Sequence, residues 1–161
     1  MSSVVVHRIL FFCLGNICRS PTAEGVMRAK LKAAGLDVEV DSAGTHGYHI
    51  GAPPDERSQQ HAAQRGYDLS ALRARKLVAE DFARFDLVLA MDADNLANAA
   101  RLCPPGQQHR LKLLMSYAPE AGNPHVPDPY YGGAAGFDEV LDLVEAACDG
   151  LIASGLRKTT A

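Results

Sequence analysis

The sequence predicts an α/β fold in which a four-stranded parallel sheet is covered by helices on both faces. Apart from His7 and Arg8, residues 4–13 are apolar and include several β-branched side chains, which is typical of a strand buried on both faces. The periodicity of the whole chain gives the order β-α-β-α-α-β-α-β-α, the alternation expected of a parallel sheet. Residues 13–21 form a dense loop of reactive and turn-forming side chains directly after the first strand, where such sheets bind ligands.

The first half of the chain supplies the first elements after that loop. Helix-forming residues over 22–34 stop at Gly35, which suits the position just past a helix. Residues 36–42 alternate between apolar and polar side chains and predict the second strand. Residues 51–66 begin with prolines and end with glycine, the usual asymmetry of a helix.

The second half continues the alternation and contains one long irregular segment. It predicts a short helix, a third strand, a capped helix and a fourth strand over 79–85, 86–91, 92–103 and 109–115. Residues 116–136 are rich in proline and glycine, and irregular segments of that length are often functional. A last helix with an apolar face is predicted from near Phe137.

Length and composition limit the classes of protein. The 161 residues suit one domain, 1–161, and 47% hydrophobic with 22% charged residues is ordinary for a globular protein. A net charge of -3 gives no electrostatic reason to bind nucleic acid. We find no signal peptide and no run of about 18 apolar residues, so a cytoplasmic protein without membrane insertion is expected. The oligomeric state stays open.

The cysteines do not have the spacing of a metal site. Cys13 and Cys18 are close in sequence, but Cys103 and Cys148 each stand alone, whereas a zinc site needs a second close pair. Reduced thiols are therefore expected, and neither a metal nor a cofactor is predicted.

The loop after the first strand has the features of a phosphate cradle. We expect Ser20 at the N-cap and Pro21 at the first position of the following helix, whose unpaired N–H groups attract anions. Gly15 and Asn16 tolerate left-handed backbone, which turns successive N–H groups inward. Residues 14–19 could therefore wrap a phosphate-sized dianion.

Cys13 and Arg19 are the predicted reactive pair of this loop. Arg19 adds a planar fork that can bind two phosphate oxygens. A helix N-terminus and an arginine both favour a thiolate at Cys13, which would be a nucleophile aimed at phosphorus, and Ser20 could donate a hydrogen bond to its sulfur. The alternative is that Cys13 merely ends a buried strand and that Arg19 is solvated.

Asp128 is the predicted proton donor for a leaving oxygen. It lies between two prolines in the irregular segment, and these stiffen its backbone. It could then take a proton from the water that attacks the phosphocysteine. An ordinary turn is the alternative explanation of the same residues.

Three tyrosines are predicted to wall a slot for an aromatic phosphate. Tyr130 and Tyr131 follow Asp128 directly, and Tyr48 in a glycine-flanked loop could form the opposite wall. Packing of surface loops explains each of them equally simply when it is taken alone. His46 and His49 are expected to be solvated loop residues, because no partner has metal spacing.

Four stretches of the chain resemble the low-molecular-weight protein tyrosine phosphatases. They are "CLGNICRSPTAEG" at 13–25, "DSAGT" at 41–45, "AEDFARFDLVLAMDADNL" at 79–96 and "DPYYGG" at 128–133. The resemblance implies a four-stranded parallel sheet, a phosphotyrosine-containing protein as substrate, and hydrolysis through a cysteinyl-phosphate intermediate.

The resemblance also implies the roles of individual residues. Cys13 would be the nucleophile, Arg19 would bind the transition state, and Asp128 would be the acid and base. Ser42 would belong with Ser20 and Asn16 to a supporting network, and Cys18 could close a reversible, protective disulfide with Cys13. The phosphate-binding loop would comprise Leu14, Gly15, Asn16, Ile17, Cys18 and Ser20.

The chain departs from the family at Leu72, where many members have a histidine that ties this network together. We expect the network to be rewired through water or Ser42, with altered ionisation of Cys13 or a lower rate than in relatives with histidine.

Three other functions are alternatives to phosphotyrosine hydrolysis. A thioredoxin-coupled arsenate reductase of the same fold needs two further cysteines around 80–95, and none is present. A phosphoarginine phosphatase of the same fold would have threonine at the position of Ile17 and would lack the paired tyrosines. A non-catalytic phosphate-binding module is disfavoured by the presence of Cys13, Arg19 and Asp128 together.

Overall fold

A computed structural model of the chain describes residues 6–130 and 133–156. Within these residues the strands form a four-stranded, all-parallel sheet in the order β2-β1-β3-β4. The strands are β1 Arg8–Cys13, β2 Glu39–Gly44, β3 Leu87–Ala90 and β4 Leu111–Leu113. The α-helices are α1 Arg19–Ala34, α2 Glu56–Gln64, α3 Asp81–Arg84, α4 Ala93–Ala100 and α5 Ala134–Ala153. The predicted fold class and order of elements are confirmed.

Alternation along β1 builds a core on each face of the sheet. Ile9 and Phe11 pack into the cluster that includes the apolar residues of α1 and α5. Leu10 and Phe12 point to the other side, where they meet Phe82 and other residues around α3 and α4. All four side chains are fully buried, which explains why the sequence of this strand shows no polar alternation.

The boundaries of several elements differ from the predicted ones. The first helix begins at Arg19 rather than at residue 22, and Cys18 occupies the N-cap, so the prediction that Ser20 caps the helix is wrong. The physical reason is that the Ser20 hydroxyl lies 3.1 Å from the Cys13 sulfur instead of turning to the helix backbone. The helix ends as expected, with Gly35 in a left-handed conformation (φ 68°).

Other ends shift by a few residues. The second helix begins after the prolines, where the Asp55 side chain accepts a hydrogen bond from the Arg57 N–H. The fourth strand is only three residues long, because the chain turns into a 3-10 helix at Leu114–Tyr117. The last helix begins at Ala134, three residues before Phe137. None of the helices in the described part of the chain combines the length and apolar character of a membrane-spanning segment.

Candidate active site

The loop after β1 is held in place by the chain that follows β2. The N–H groups of Thr45 and His46 donate to the carbonyl oxygens of Cys13 and Leu14, at 2.9 and 3.0 Å. This close approach requires a glycine at position 44, because a Cβ there would lie 2.8 Å from the Leu14 carbonyl oxygen. Cys13 therefore ends its strand in a fixed position with 3% of its surface exposed.

A pocket of about 370 Å³ opens at this end of the sheet. Cys13 and the loop residues before α1 are part of its lining. Side chains from the 48–49 loop and from the irregular segment form the rest. The lining residues are Cys13, Leu14, Gly15, Ile17, Cys18, Arg19, Tyr48, His49, Asp128 and Tyr130. Most of the residues predicted from the sequence are thus brought together.

Asn16 provides the left-handed turn of the loop, with a φ of 58°. Its side chain is buried and its orientation is fixed by the backbone, since Oδ1 accepts from the N–H of Arg75 at 3.0 Å. Its Nδ2 therefore faces the other way and donates to Ser20 Oγ at 2.7 Å and Ser42 Oγ at 3.0 Å. The predicted association of Asn16, Ser20 and Ser42 is present.

Glu24 sets the direction of these hydrogen bonds. Its buried carboxylate accepts from Ser42 Oγ at 2.7 Å, so the Ser42 proton is used there. Asn16 then occupies a lone pair on each serine. Ser20 keeps its own proton, and its nearest acceptor is the Cys13 sulfur at 3.1 Å, with the Ala43 carbonyl at 3.4 Å. The chain of bonds therefore supplies Cys13 with a hydrogen-bond donor suited to a thiolate.

Arg19 is buried at the start of α1 and held from one side. Its Nη1 donates to Asp92 Oδ2 at 2.6 Å and to the Val126 carbonyl at 3.0 Å. Burial would lower the pKa of Arg19, but the negative charges at Cys13, Asp92 and Asp128 raise it above its ordinary value. The guanidinium therefore stays charged and aimed into the pocket. Asp92 has a second task, because its Oδ1 caps α4 by accepting from the Asn95 N–H.

Asp128 reaches the pocket through a short backbone tie. The Val126 N–H donates to the Met91 carbonyl at 2.8 Å, which fixes the irregular segment beside the carboxyl end of β3. Two residues later, Asp128 Oδ1 accepts from the Tyr130 N–H at 3.0 Å, while Oδ2 lies 3.8 Å from Arg19 Nη2. The carboxylate is 43% exposed, so it can meet both a substrate oxygen and water.

The site combines a thiol, a buried arginine and a partly exposed carboxylate around a loop that could enclose a phosphate group. This combination is typical of a cysteine-dependent phosphatase. A family model described as "Low molecular weight phosphotyrosine protein phosphatase" matches residues 8–161. The chain belongs to this family.

Individual members and solved structures agree with the family match. A low-molecular-weight protein-tyrosine-phosphatase of Streptomyces coelicolor is 47% identical over 155 residues, covering 93% of this chain and 94% of the relative. A crystal structure of a protein tyrosine phosphatase from Entamoeba histolytica, with Hepes in its active site, superimposes with a TM-score of 0.89 at 39% identity, covering 92% of this chain and 96% of that one. A Drosophila arginine phosphatase superimposes with a TM-score of 0.85 at 31% identity, covering 91% and 96%.

The tyrosines predicted to wall the pocket of this phosphatase family member are only partly described. Tyr48 lines the pocket, is 70% exposed, and stacks on His46 with ring centroids 5.2 Å apart. Tyr130 also lines the pocket. Tyr131 lies outside the described residues, so its predicted role stays a prediction.

The surroundings of two residues around the site were not predicted from the sequence. His49 was expected to be solvated, but it is half-buried against Gly15, where an added Cβ would lie 3.0 Å from its ring. Glu24 lies four residues after Ser20, one too many for a capping box, and nothing in its sequence position indicated a buried partner at Ser42. Among the described residues no cluster of side chains has the makeup of a metal site.

The hydrogen bonds among Asn16, Ser20 and Ser42 are complete although residue 72 is leucine and not histidine. Leu72 packs against the core, and the Arg75 N–H and the Glu24 carboxylate bind Asn16 and Ser42 instead. The histidine that the resemblance implies at this position would add a further hydrogen bond to the network, so Leu72→His is expected to raise kcat/KM for p-nitrophenyl phosphate by roughly two- to tenfold. Steady-state rates of both proteins check this, and equal kcat/KM values would refute it.

Cys18 is a buried thiol at the N-cap of α1. Burial raises the pKa of Cys18 to about 12, although a hydrogen bond from Ser58 opposes this, and the charge of Asp55 raises it further. At pH 7 the thiol is therefore protonated and we expect iodoacetamide to modify Cys13 but not Cys18. Peptide mass spectrometry should show label on Cys18 only after unfolding in urea, and comparable labelling of both in the folded protein would contradict this. Both cysteines are free in the structure, so their predicted disulfide stays a prediction.

Proposed function

We propose that the chain hydrolyses phosphotyrosine in proteins through a phosphorylated Cys13. The observation that supports this most directly is the convergence of the Cys13 sulfur, the Arg19 guanidinium and the Asp128 carboxyl on one pocket, with Arg19 Nη2 and Asp128 Oδ2 3.8 Å apart. This convergence supports recognition of charge by Arg19 and proton transfer by Asp128 at the same phosphoryl group.

In the first step the Cys13 thiolate attacks phosphorus and the bond from phosphorus to the phenolic oxygen breaks. Asp128 gives its proton to that oxygen, which leaves as neutral tyrosine, because a phenol with a pKa near 10 is a poor leaving group as an anion. Arg19 and the N–H groups of the loop bind the equatorial oxygens as charge builds up on them. The products are a phosphocysteine and a free tyrosine side chain.

In the second step water attacks the same phosphorus. Asp128, now ionised, takes a proton from this water, and the bond from sulfur to phosphorus breaks to give phosphate and the Cys13 thiolate. The hydroxyl of Ser20, 3.1 Å from the sulfur, stabilises the departing thiolate. Asp128 ends the cycle protonated, and the site is restored.

The pocket walls favour an aryl phosphate over phosphoarginine. Tyr48 and Tyr130 are exposed aromatic residues of the pocket lining, and Ile17 adds an apolar residue to it. These surfaces suit the flat face of a phenyl ring. The arginine phosphatase among the structural neighbours makes phosphoarginine the second candidate, and arsenate reduction stays disfavoured because 80–95 contains no cysteine.

A comparison of kcat/KM for two phosphopeptides tests the proposal. The wild-type protein should release phosphate from a phosphotyrosine peptide with a kcat/KM at least about a hundredfold above that for a phosphoarginine peptide of the same sequence. A preference for phosphoarginine, or release from neither, would contradict it. Turnover of arsenate with thioredoxin as reductant would favour the remaining alternative.

The proposal extends to the whole chain and its setting. We treat 1–161 as one catalytic domain, supported by the family match over 8–161 and by the packing of α5 against α1 and α2. Phosphoproteins are the proposed partners, without nucleic acid. A cytoplasmic location is proposed, since a reducing compartment keeps Cys13 as the thiol the reaction needs.

A further inference from the structure

Arg57, in the first turn of α2, lies outside the pocket lining and makes directed contacts with Asp55 and Tyr130. Its Nε and Nη2 atoms donate to the two carboxylate oxygens of Asp55, each at 3.1 Å. The Asp55 carboxylate also caps the helix through the Arg57 N–H at 2.9 Å. This two-pronged geometry fixes the plane of the guanidinium with respect to α2.

The same guanidinium reaches the segment that contains Asp128. Its Nη2 donates to the Tyr130 carbonyl oxygen at 3.1 Å. The Tyr130 ring lies 5.5 Å from the Arg57 Cζ, and the Phe137 ring lies 4.8 Å from it. Arg57 therefore contacts both the peptide and the ring of Tyr130 and also the start of α5.

Tyr130 connects this arginine to the proposed acid. Its N–H donates to Asp128 Oδ1, and its carbonyl accepts from Arg57, so the residue is tied at both ends. The Asp128 carboxylate is 43% exposed and sits in an irregular segment, where burial does little to fix its direction. Pro129 is buried and holds part of the 128–130 turn, and the hydrogen bond from Arg57 to the Tyr130 carbonyl oxygen attaches the turn to α2 beside the carboxylate.

The end of α2 that carries Arg57 is fixed against the phosphate loop. The Asp55 N–H donates to the Ile17 carbonyl oxygen at 2.7 Å, which attaches the start of α2 to that loop. Arg57 thus links the loop that holds the phosphoryl group to the segment that holds the acid, through contacts outside the pocket.

We propose that Arg57 is a positioning residue that holds the 128–130 turn so that the Asp128 carboxyl faces the departing oxygen of the substrate. This rests on the proposed phosphatase reaction. Arg57 is outside the pocket lining, so its loss should weaken proton donation and leave phosphate binding intact. The effect should grow with the pKa of the leaving phenol, because only poor leaving groups need the proton.

The experiment compares kcat/KM for phenyl phosphate and p-nitrophenyl phosphate in wild type, Arg57→Ala and Asp128→Ala. We expect Arg57→Ala to lose about tenfold on phenyl phosphate and less than about twofold on p-nitrophenyl phosphate, a smaller version of the Asp128→Ala pattern. The double variant should be no slower on phenyl phosphate than Asp128→Ala alone, since Arg57 acts only through Asp128. Inhibition by inorganic phosphate should be unchanged in Arg57→Ala.

Arg84→Ala is the matched control. Arg84 also pairs with a carboxylate, Glu39, and lies over an aromatic ring, that of Phe85, but at the opposite end of the sheet. It should match wild type on both substrates. Arg57→Lys keeps the charge without the planar fork and should fall between wild type and Arg57→Ala. Thermal unfolding of each variant accompanies the kinetics.

The outcomes separate this proposal from the one it rests on. Equal losses on both substrates, additive losses in the double variant, or weaker phosphate inhibition would overturn the positioning role while the phosphatase reaction stands. A wild-type protein that hydrolyses neither substrate would overturn the phosphatase reaction, and the role of Arg57 with it.

Discussion

Replacing Cys13 with serine is expected to reduce aryl phosphate hydrolysis by more than about a thousandfold and to eliminate the covalent intermediate. Serine is close in size, but its hydroxyl has no comparable tendency to ionise beside Arg19 and the N–H groups of the loop. Rapid quenching of turnover followed by mass spectrometry should find phosphate on Cys13 in the wild type and on no residue of the variant.

The control for this experiment is Cys103→Ser, which alters a half-buried cysteine outside the pocket lining. It should keep the wild-type rate and the phosphocysteine. Binding of inorganic phosphate to Cys13→Ser should persist, because the loop and Arg19 are unchanged. Hydrolysis by Cys13→Ser at a rate near that of the wild type would show that another group attacks phosphorus, and the proposed mechanism would be wrong.

The second large effect is expected from Arg19→Lys, which should lower kcat/KM by about a hundred- to a thousandfold. Lysine keeps the positive charge but has no fork, so it cannot bind Asp92 and the Val126 carbonyl while also donating to phosphate oxygens. The loss should be larger in kcat/KM than in the binding of inorganic phosphate, because the equatorial oxygens gain charge in the transition state.

Arg8→Lys provides the comparison. Arg8 is an exposed arginine at the start of β1, at the end of that strand away from Cys13, where it pairs with Glu39. It should retain wild-type kinetics. Steady-state rates with p-nitrophenyl phosphate and inhibition by phosphate measure both variants. A loss below tenfold in Arg19→Lys would mean that charge alone suffices and that the planar geometry of arginine is unimportant.

The sequence was informative about the fold because burial in a parallel sheet leaves a strong signal. The strand ending at Cys13 is apolar on both faces, and the structure buries it on both faces. The ends of elements were less predictable because they depend on tertiary contacts. Ser20 has the chemistry of an N-cap, yet the sulfur of Cys13 takes its hydroxyl, and the helix begins one residue before it.

In the candidate site, too, local signals were readable in the sequence and tertiary contacts were not. Cys13, Arg19 and Asp128 could be singled out because each has a rare chemical role in its local context, and the structure brings them to one pocket. Glu24 and Arg57 could not, since a glutamate in a helix and an arginine in a first turn are ordinary. Their importance depends on partners 18 and 73 residues away in sequence, at Ser42 and Tyr130.

The hydrogen bond from Val126 to Met91 has a consequence for how members of such a fold can diverge. It fixes the chain beside the carboxyl end of β3, only two residues before Asp128. Additions or losses of residues upstream, between Tyr117 and Asn123, are absorbed before that attachment and do not reach the carboxyl group. The outline of the molecule can therefore drift over evolutionary time while the spacing between acid and nucleophile is preserved.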